Sequence, residues 1–415
     1  MLLIYNFLTV VSTFILKFFA LFNAKINTGI KGRKLWEQTL LEIPKEKKIF
    51  WFHCASLGEF DQGLPLMNLL KNKDTEVFIV VSFFSPSGFL NYNKRVHPVD
   101  YALYLPFDTK KNAAKFLSIL NPVAGIFVKY EFWPNFLNEA AKINVPIFSI
   151  STLLRPNQIY FKWYGALFRK ALKNVRFFFV QNETTALLLD RLGLGNYEII
   201  GDTRIDRVIE NKSIFEASKE LKSTPEKERF ETFLNGNKAI IFGSSWAPEE
   251  EILISFLKKN SNQKIILAPH NVSESNISVI QQKLDSKAIR FTKFDGNYHG
   301  QQVLILDTIG QLATAYSYGK IAFVGGGFSG KLHNILEPAV FGLPVLFGPK
   351  HSKFPEADSF LKNGIGFEVK NNKELEKVLN DLEGDLHHFS QKTIQFVESQ
   401  KGAAIKILNS YNFKY

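Results

Sequence analysis

Short runs of almost continuous apolar residues alternate with helix-length amphipathic segments along most of the chain. The runs in the first half are 48–53, 77–82, 123–128, 145–150, 176–180 and 197–200, and those in the second half are 239–245, 264–270, 303–308, 320–327 and 344–349. Strands that are apolar throughout are covered on both faces, which is typical of a parallel sheet flanked by helices. The pattern predicts an α/β fold with two consecutive doubly wound, Rossmann-like domains.

The boundary between the two domains is predicted where the sequence turns polar and charged. Segment 207–225 interrupts the strand-rich pattern and is interpreted as a linker between an N-terminal domain, 25–206, and a C-terminal domain, 226–395. Segment 396–415 has a helical pattern and could return to pack on the first domain. If the two domains face each other, the loops after their strands meet in a cleft, as in GT-B glycosyltransferases.

The first segment is apolar over about the length that crosses a bilayer. Residues 2–23 are interrupted by Lys17, which costs on the order of 3 kcal/mol at the bilayer centre unless it snorkels. No basic region precedes the run and no clear cleavage site follows, so 1–24 is interpreted as an uncleaved membrane-anchor helix. The positive-inside rule places the body of the protein in the cytoplasm, against anionic headgroups, because four cations follow: Lys25, Lys31, Arg33 and Lys34.

The formal net charge of +12 over 415 residues favours an anionic partner or a solvated basic surface. Basic and aromatic residues alternate between Arg155 and Lys173, and with an anchor on the same chain a lipid surface is favoured there over nucleic acid. The single cysteine, Cys54, excludes an internal disulfide. The eight histidines show no metal-ligand spacing, so no metal site is predicted.

Two carboxylates and a cation follow strands of the first predicted domain. Ser56 and Glu59 have the spacing of a helix capping box, which by itself favours a cap over a catalytic base by roughly two to one. Glu131 lies among aromatic residues, so burial would raise its pKa while a nearby cation would lower it or pair with it. Arg204 could meet a substrate anion or pair with a neighbouring aspartate.

The second predicted domain contains a glycine-rich turn, Gly325-Gly326-Gly327, followed by the short helical pattern HNILEPAVFG. Backbone N–H groups freed of Cβ atoms could approach a phosphate there, and Asn334 and Glu337 could bind ribose hydroxyls. A glycine-rich turn that only allows tight packing is an equally good interpretation. The turn fits neither a P-loop nor a dinucleotide-binding pattern, which weakens an ATPase or a simple dehydrogenase.

Together these motifs resemble a known family. HCASLGE, YEFWPN, GDTRID, FGSSWAPEEE, LAPHN, DTIGQL and GGGFSGKLHNILEPAVFGLPVLFGP occur in the order seen in bacterial 3-deoxy-D-manno-octulosonic acid (Kdo) transferases of lipid A assembly. The resemblance extends from the N-terminal segment through about residue 370. It implies a membrane-attached GT-B enzyme that moves Kdo from CMP-Kdo to a tetraacyl-disaccharide lipid A precursor on the cytoplasmic side of the inner membrane. No cofactor, metal or nucleic acid is implied.

The resemblance also implies roles for individual residues. Glu59 matches the general base, and Glu131 and Arg204 match transition-state stabilisers. The positions that match CMP-binding residues are Pro269, His270, Ile309, Gly310, Gln311, Asn334, Ile335, Leu336 and Glu337. The sequence departs from the family's pattern at Lys129, at His270, where many members have Arg, and at Arg204, where many have Lys. It also departs around Arg155.

Two other functions fit the same motifs. One is a GT-B transferase that uses a different nucleotide sugar, because glycine-rich turns and a glutamate near the donor ribose are widespread. The other is a non-catalytic, membrane-tethered nucleotide-binding module in which Glu59 only caps a helix.

Overall fold

The computed structural model describes residues 2–221, 224–260, 262–297, 300–410 and 412–414. Met1 of the predicted anchor, residues 222 and 223 of the predicted linker, and residues 411 and 415 of the C-terminal segment lie outside this description. The chain divides into two compact units. The first comprises Met1–Arg207 with Gln400–Tyr415, and the second comprises Val208–Ser399.

The first unit is built on a parallel sheet whose strands mostly coincide with the predicted apolar runs. The strands are β1 (Lys48–Cys54), β2 (Val77–Phe83), β3 (Tyr101–Tyr104), β4 (Ala124–Val128), β5 (Ile147–Thr152), β6 (Phe177–Val180) and β7 (Tyr197–Ile199). Their order in the sheet is β3-β2-β1-β4-β5-β6-β7, with every pairing parallel. β3 was not predicted.

The helices of this unit cover both faces of the sheet, apart from the first, which has no buried residue. They are α1 (Leu2–Phe19), α2 (Ala24–Arg33), α3 (Trp36–Leu41), α4 (Leu57–Lys73), α5 (Pro86–Asn91), α6 (Lys110–Leu120), α7 (Pro134–Lys142), α8 (Ala166–Leu172) and α9 (Glu183–Arg191), with short 3-10 turns at Tyr92–Lys94 and Ile159–Phe161. One core forms under α3, α6, α7 and α9, and a second forms under α4. A strand that is apolar throughout has to be covered on both faces, and these two cores cover both faces of the sheet.

The second unit repeats the plan. Its helices are α10 (Thr203–Leu221), which begins in the first unit, α11 (Pro225–Leu234), α12 (Ala247–Leu257), α13 (Glu274–Leu284), α14 (Leu312–Ser317), α15 (Leu336–Val340), α16 (Pro355–Lys362), α17 (Asn372–Gly384) and α18 (Leu386–Gln400). Its strands are β8 (Ala239–Ser245), β9 (Ile265–Pro269), β10 (Ala288–Arg290), β11 (Val303–Ile305), β12 (Gly319–Val324), β13 (Val345–Phe347) and β14 (Gly366–Glu368), with 3-10 turns at Asp285–Lys287 and Phe291–Lys293. The parallel order is β10-β11-β9-β8-β12-β13-β14.

The polar segment between the two sheets is helical rather than extended. α10 runs through it, and the division between the units falls inside this helix, after Arg207. Near the other end of the chain, Gly402 has φ of +90° and separates α18 from a last helix, α19 (Ala403–Asn409). α19 packs against α4 in the first unit, and the Asp206 carboxylate accepts hydrogen bonds from the N–H groups of Gly402 (2.6 Å) and Ala404 (2.8 Å).

In each described sheet, the strands that directly follow the first strand lie on one side of it, and the later strands lie on its other side. In the first sheet this switch point lies between β1 and β4, and in the second it lies between β8 and β12. The crevice beyond the carboxyl ends of such a strand pair is where open α/β sheets bind ligands. The predicted fold class, two doubly wound parallel sheets with an N-terminal apolar helix, is confirmed.

Candidate functional site

Glu59 lies directly beyond the carboxyl end of β1, in the first turn of α4. The helix starts after Ser56, as predicted, but the Ser56 side chain makes no capping hydrogen bond to the backbone. Its hydroxyl instead donates to Oε2 of Glu59. The prediction of a capping box is therefore wrong, because the Ser56 side chain bonds the Glu59 carboxylate instead of the helix backbone. Glu59 is buried, at 7% exposure, and is held by a side chain rather than by the helix end.

Glu131 lies in the loop after β4, the strand beside β1. The loop begins at Lys129, which has φ of +72°, a strained conformation for a residue other than glycine. Burial, together with the negative charge of Glu59, raises the pKa of Glu131. Within the described residues Glu131 has no ion-pair partner, so burial and not a neighbouring cation determines the direction of its shift. Glu59 is thus close enough for its charge to act on Glu131.

A half-buried tryptophan and a buried histidine connect the Glu131 loop to β1. The Trp133 indole N–H donates to Nε2 of His53 (3.0 Å), and Nδ1 of His53 lies 3.0 Å from Oγ of Ser82. Complete burial lowers the pKa of His53 to about 3. The ring is therefore neutral, with its proton on Nδ1, and it bridges two strands and the loop. Local sequence patterns gave no sign of this pair, because 80 positions separate its members.

Arg204 forms the structural ion pair that was its alternative interpretation. Its guanidinium Nη2 lies 2.6 Å from Oδ2 of Asp202. Oδ1 of Asp202 also accepts a hydrogen bond from Nε2 of Gln62 (3.0 Å), one helical turn after Glu59. Burial favours a raised pKa for Asp202, but the charge and hydrogen bonds of Arg204 hold that pKa below its usual value. Arg204 is thus linked through two side chains to the helix that carries Glu59.

The glycine-rich turn after β12 is explained by close backbone contacts. A Cβ on Gly325 would lie 2.2 Å from the carbonyl oxygen of Ser244, and one on Gly326, which has φ of +89°, would lie 2.2 Å from that of Lys331. The N–H of Gly326 donates to a protein carboxylate, Oε1 of Glu249 (2.8 Å). This N–H group is therefore not free for a phosphate in the way the turn suggested. Tight packing accounts for these glycines.

Glu249 occupies the same place in α12 that Glu59 occupies in α4, the third residue of the helix after the first strand of the sheet. Besides the Gly326 bond, it accepts a hydrogen bond from the backbone N–H of Trp246 (3.0 Å). Burial raises the pKa of Glu249, and these bonds partly oppose the rise. The Glu249 carboxylate therefore stabilises the N-terminus of α12 and holds the glycine-rich turn in place. Glu249 lies in the FGSSWAPEEE motif, and local sequence patterns did not predict this role for it.

The predicted donor-binding residues around α15 divide into two groups. Ile335 and Leu336 are buried in the core, which leaves only their backbone groups for a ligand. Asn334 precedes the helix, where Nδ2 donates to Oε1 of Glu337 (3.1 Å) and Oδ1 accepts from the N–H of Leu336 (3.1 Å). Glu337 in turn contributes to a strongly raised pKa of the buried Tyr316 hydroxyl, after burial itself.

Three aromatic rings meet at the ends of β8, β9 and β12. The indole N–H of Trp246 donates to Nε2 of His333 (3.2 Å), and the two rings are nearly coplanar, at 17°. His270, exposed after buried Pro269, stacks on this pair with ring centroids 4.4 Å from Trp246 and 4.7 Å from His333. Burial, and then the charge of His270, lower the pKa of His333. The structure thus brings the Pro269-His270 segment beside the loop that leads to Asn334.

The remaining predicted donor residues form an exposed loop between β11 and α14. Ile309 is 86% exposed, Gly310 has φ of +99°, and Gln311 precedes α14, which packs against α15. The structure brings this loop toward α15 through that helix contact. Across the described residues, no cluster of three or more His, Cys, Asp or Glu side chains has the arrangement of a metal site.

Comparison with known proteins identifies the family. The family model described as 3-Deoxy-D-manno-octulosonic-acid transferase (kdotransferase) matches residues 32–207. The 3-deoxy-D-manno-octulosonic acid transferase of Aquifex aeolicus is 29% identical over 353 residues, covering 82% of this chain and 89% of that protein. The chain belongs to the Kdo transferase family. It is a glycosyltransferase of that family.

Two further comparisons bear on this Kdo transferase. The bifunctional glycosyltransferase/methyltransferase of Fusobacterium nucleatum is 25% identical over 382 residues, covering 89% of this chain but 58% of that protein, so the chain spans little more than half of that relative. The crystal structure of UDP-GlcNAc 2-epimerase from Neisseria meningitidis has a TM-score of 0.63 at 15% identity, covering 87% of this chain and 98% of the other. The second likeness shows the fold alone, a GT-B-like pair of Rossmann-like units.

Proposed function

We propose that this Kdo transferase moves Kdo from CMP-Kdo to the tetraacyl-disaccharide precursor of lipid A and releases CMP. Membership of the family supports the donor and the type of reaction. The observation that carries the proposal is the state of Glu59. A buried carboxylate lies beyond a strand at the switch point, and it is not used to cap its helix.

In the proposed reaction Glu59 acts as the general base. It accepts the proton of the glucosamine 6′-hydroxyl while that oxygen attacks the anomeric carbon of Kdo. The bond from that carbon to the CMP oxygen breaks on the opposite face, and CMP leaves with the bonding electrons. One base is sufficient for such an inversion. The Ser56 hydroxyl, which donates to Oε2 of Glu59, holds the carboxylate in one orientation.

Glu131 and Arg204 are proposed to stabilise the transition state. Positive charge develops at the anomeric carbon and negative charge develops on the departing phosphate, so a carboxylate and a guanidinium suit the two ends of the breaking bond. The proximity of Glu131 to Glu59 supports the first assignment. The connection of Arg204 to α4 through Asp202 and Gln62 supports the second.

The second unit is proposed to bind CMP-Kdo at the carboxyl edge of its sheet. Pro269 and His270, the loop Ile309, Gly310 and Gln311, and the segment Asn334, Ile335, Leu336 and Glu337 are the proposed contacts. The stack of His270 on Trp246 and His333 supports this site, because it gathers three strand ends at the switch point. Cationic and backbone groups would balance the phosphate charge without a metal.

The N-terminal helix is proposed to hold the protein at the cytoplasmic side of the inner membrane. Among the described residues, α1 is the one helix long and apolar enough to cross a bilayer, and none of it is buried. One face is joined to the first unit, because the Tyr5 hydroxyl donates to Asp108 (2.6 Å) and Asn6 accepts from Asn135 (2.9 Å). Large apolar side chains, among them Phe7 at 67% exposure, occupy the other face.

A transfer assay tests the proposal. The full chain in detergent is given radiolabelled CMP-Kdo and the tetraacyl-disaccharide acceptor, as wild type and as Glu59→Gln. Wild type should transfer the label, and the variant should transfer it on the order of a hundredfold more slowly with CMP affinity unchanged. Normal transfer by the variant would contradict the assigned base. Transfer from a UDP-sugar in place of CMP-Kdo would establish a different donor.

A further inference from the structure

A cavity of about 690 Å³ in the first unit has no part in the proposed chemistry. Its walls are side chains of α6, α7 and α8, and Leu2 at the start of α1 lies on its lining. The volume is that of a small-molecule site. None of the proposed catalytic or donor-binding residues lines it.

The lining is positively charged. Lys110, Lys142 and Lys170 contribute ammonium groups from three different helices, and Glu139 is the one carboxylate among the lining residues described. Glu139 already pairs with Lys142, Nζ to Oε1 at 2.6 Å. A lysine from α6 and one from α8 therefore remain in excess over the acidic charge of the lining. Such an arrangement suits a phosphate.

Asn135 forms part of the cavity wall and is itself buried, at 1% exposure. Its Nδ2 donates both to Oδ1 of Asn6 (2.9 Å) and to the backbone carbonyl of Asp108 (2.6 Å). These two acceptors fix which amide atom is the nitrogen. Oδ1 of Asn135 is buried and does not open into the cavity. Asn135 therefore holds the wall in place, and the charge of the lining comes from the lysines.

The Asp108 carboxylate, which bonds the backbone N–H of Asn135, already has its hydrogen-bond partners within the protein. Asp108 accepts hydrogen bonds from the Tyr5 hydroxyl and from the N–H groups of Asn135 and Phe136. Burial raises the pKa of Asp108 to about 6, against the lowering effect of these bonds. Both of its oxygens are thus hydrogen-bonded within the protein. The positive charges that the cavity offers a ligand are those of the lysines.

We propose that this cavity binds the headgroup of an anionic phospholipid, with the phosphate at Lys110 and Lys170. The proposal rests on the membrane placement inferred for α1. Leu2 and Leu167 form an apolar part of the lining, and the exposed face of α1 begins at the same point. Acyl chains attached to the bound headgroup could leave along that face, in the layer that α1 occupies.

Native mass spectrometry of the full chain in detergent, titrated with dioleoylphosphatidylglycerol, tests the site. Lys110→Gln combined with Lys170→Gln should weaken binding of the first lipid about tenfold or more, because two charge-assisted contacts are lost. The matched control combines Lys111→Gln with Lys173→Gln, neighbouring exposed lysines outside the lining. That control removes the same charge and should bind the lipid within about twofold of wild type. Equal losses in both pairs would overturn the proposal in favour of diffuse electrostatics.

Two other ligands separate the charge of the headgroup from the source of the phosphate. Phosphatidylcholine, whose headgroup carries no net charge, should bind at least several-fold more weakly. Inorganic phosphate at millimolar concentration should leave the phosphatidylglycerol complex intact. Displacement by phosphate would assign the cavity to a free anion instead of a lipid. Transfer activity is recorded alongside with dispersed acceptor and should be unchanged in both lysine pairs, so failure of the lipid site and failure of the proposed reaction are distinguishable.

Discussion

The two switch points have the same design and use it differently. Each has a glutamate at the third position of the helix after the first strand, Glu59 in α4 and Glu249 in α12. Glu249 accepts two backbone hydrogen bonds and stabilises its turn. Glu59 accepts a bond from a serine hydroxyl instead. An acid at a helix start is thus a structural group in one unit and remains available for chemistry in the other.

The same contrast recurs in two indole-imidazole pairs. Trp133 donates to His53 in the first unit, and Trp246 donates to His333 in the second, in both cases through Nε1 to Nε2. His53 is completely buried, whereas His333 is half-buried and is stacked against exposed His270. The first pair fastens a loop inside the protein. The second forms a face that a ligand can reach.

The largest expected difference between the two switch points is in their glycines. Gly326→Ala should lower the free energy of unfolding of the second unit by about 3 kcal/mol or more, because the residue has positive φ and its Cβ would overlap the Lys331 carbonyl. Gly58→Ala is the control, since a Cβ there meets nothing nearer than Oγ of Ser56 at 3.8 Å. It should fold as well as wild type or gain up to about 1 kcal/mol in helix propensity. Denaturant unfolding measures both, and equal stability of the two variants would contradict the account of the turn.

The two glutamates should differ next in their effect on stability. Glu249→Gln weakens two backbone hydrogen bonds to a buried carboxylate and should cost about 1 to 3 kcal/mol. Glu59→Gln keeps an acceptor for the Ser56 hydroxyl and should cost less than about 1 kcal/mol while abolishing most transfer. Unfolding curves and the transfer assay on the same preparations give the comparison. A stability loss at Glu59 as large as that at Glu249 would make Glu59 a structural acid as well.

The indole bonds should show a smaller difference. Trp133→Phe leaves Nε2 of His53 buried without its donor and should destabilise the first unit by about 1 to 2 kcal/mol beyond the packing change. Trp246→Phe exposes Nε2 of His333 to water and should cost less than about 0.5 kcal/mol. Thermal unfolding compares the pair. A greater loss of stability in Trp246→Phe than in Trp133→Phe would contradict the view that the His53 pair is closed to solvent and the His333 pair is open to it.

The two histidines should also differ in titration. Because the pKa of His53 is about 3, its ring signals should not move between pH 8 and 5, whereas those of His333 should move below the ordinary histidine range. Below pH 6.5 the unfolded chain takes up a proton at His53 that the folded chain refuses. The contribution of His53 to the free energy of unfolding is therefore complete above pH 6.5. It falls by up to roughly 1.4 kcal/mol for each unit by which the pH drops below that value. Histidine-labelled NMR reads both rings, and a His53 midpoint near 6.5 would refute its burial.

The sequence pattern located the interior strands of the two described sheets and one edge strand, β7, but it missed the other three edge strands. In the described sheets, the strands it missed, β3, β10 and β14, all lie at sheet edges, where β10 and β14 are three residues long and β3 is only partly buried. An edge strand has one hydrogen-bonding neighbour and needs no continuous apolar run. Interior strands such as β1 and β8 were found because both faces are covered.

Candidate residues were easier to find than their surroundings. Glu59 and Glu131 each follow a predicted strand, and the carboxyl ends of parallel strands are where ligands bind, so sequence position alone indicates both residues. Local spacing could not show that Ser56 would turn to the carboxylate instead of the backbone. Nor could it show that Trp133 would bond His53, because that contact depends on the tertiary fold. The capping spacing of Ser56 and Glu59 is thus compatible with two hydrogen-bond arrangements, and only packing selects one.

The return of α19 to the first unit has a consequence for synthesis. Ala403, Ala404, Ile407 and Phe413 belong to the same core as Phe148 and Phe179. When Ser399 is added to the nascent chain, every strand of both described sheets has been synthesised, yet the first core still lacks these four side chains. Domains ordinarily complete their folding in the order in which they emerge. Here the core of the first unit can be completed only after the second unit has been synthesised.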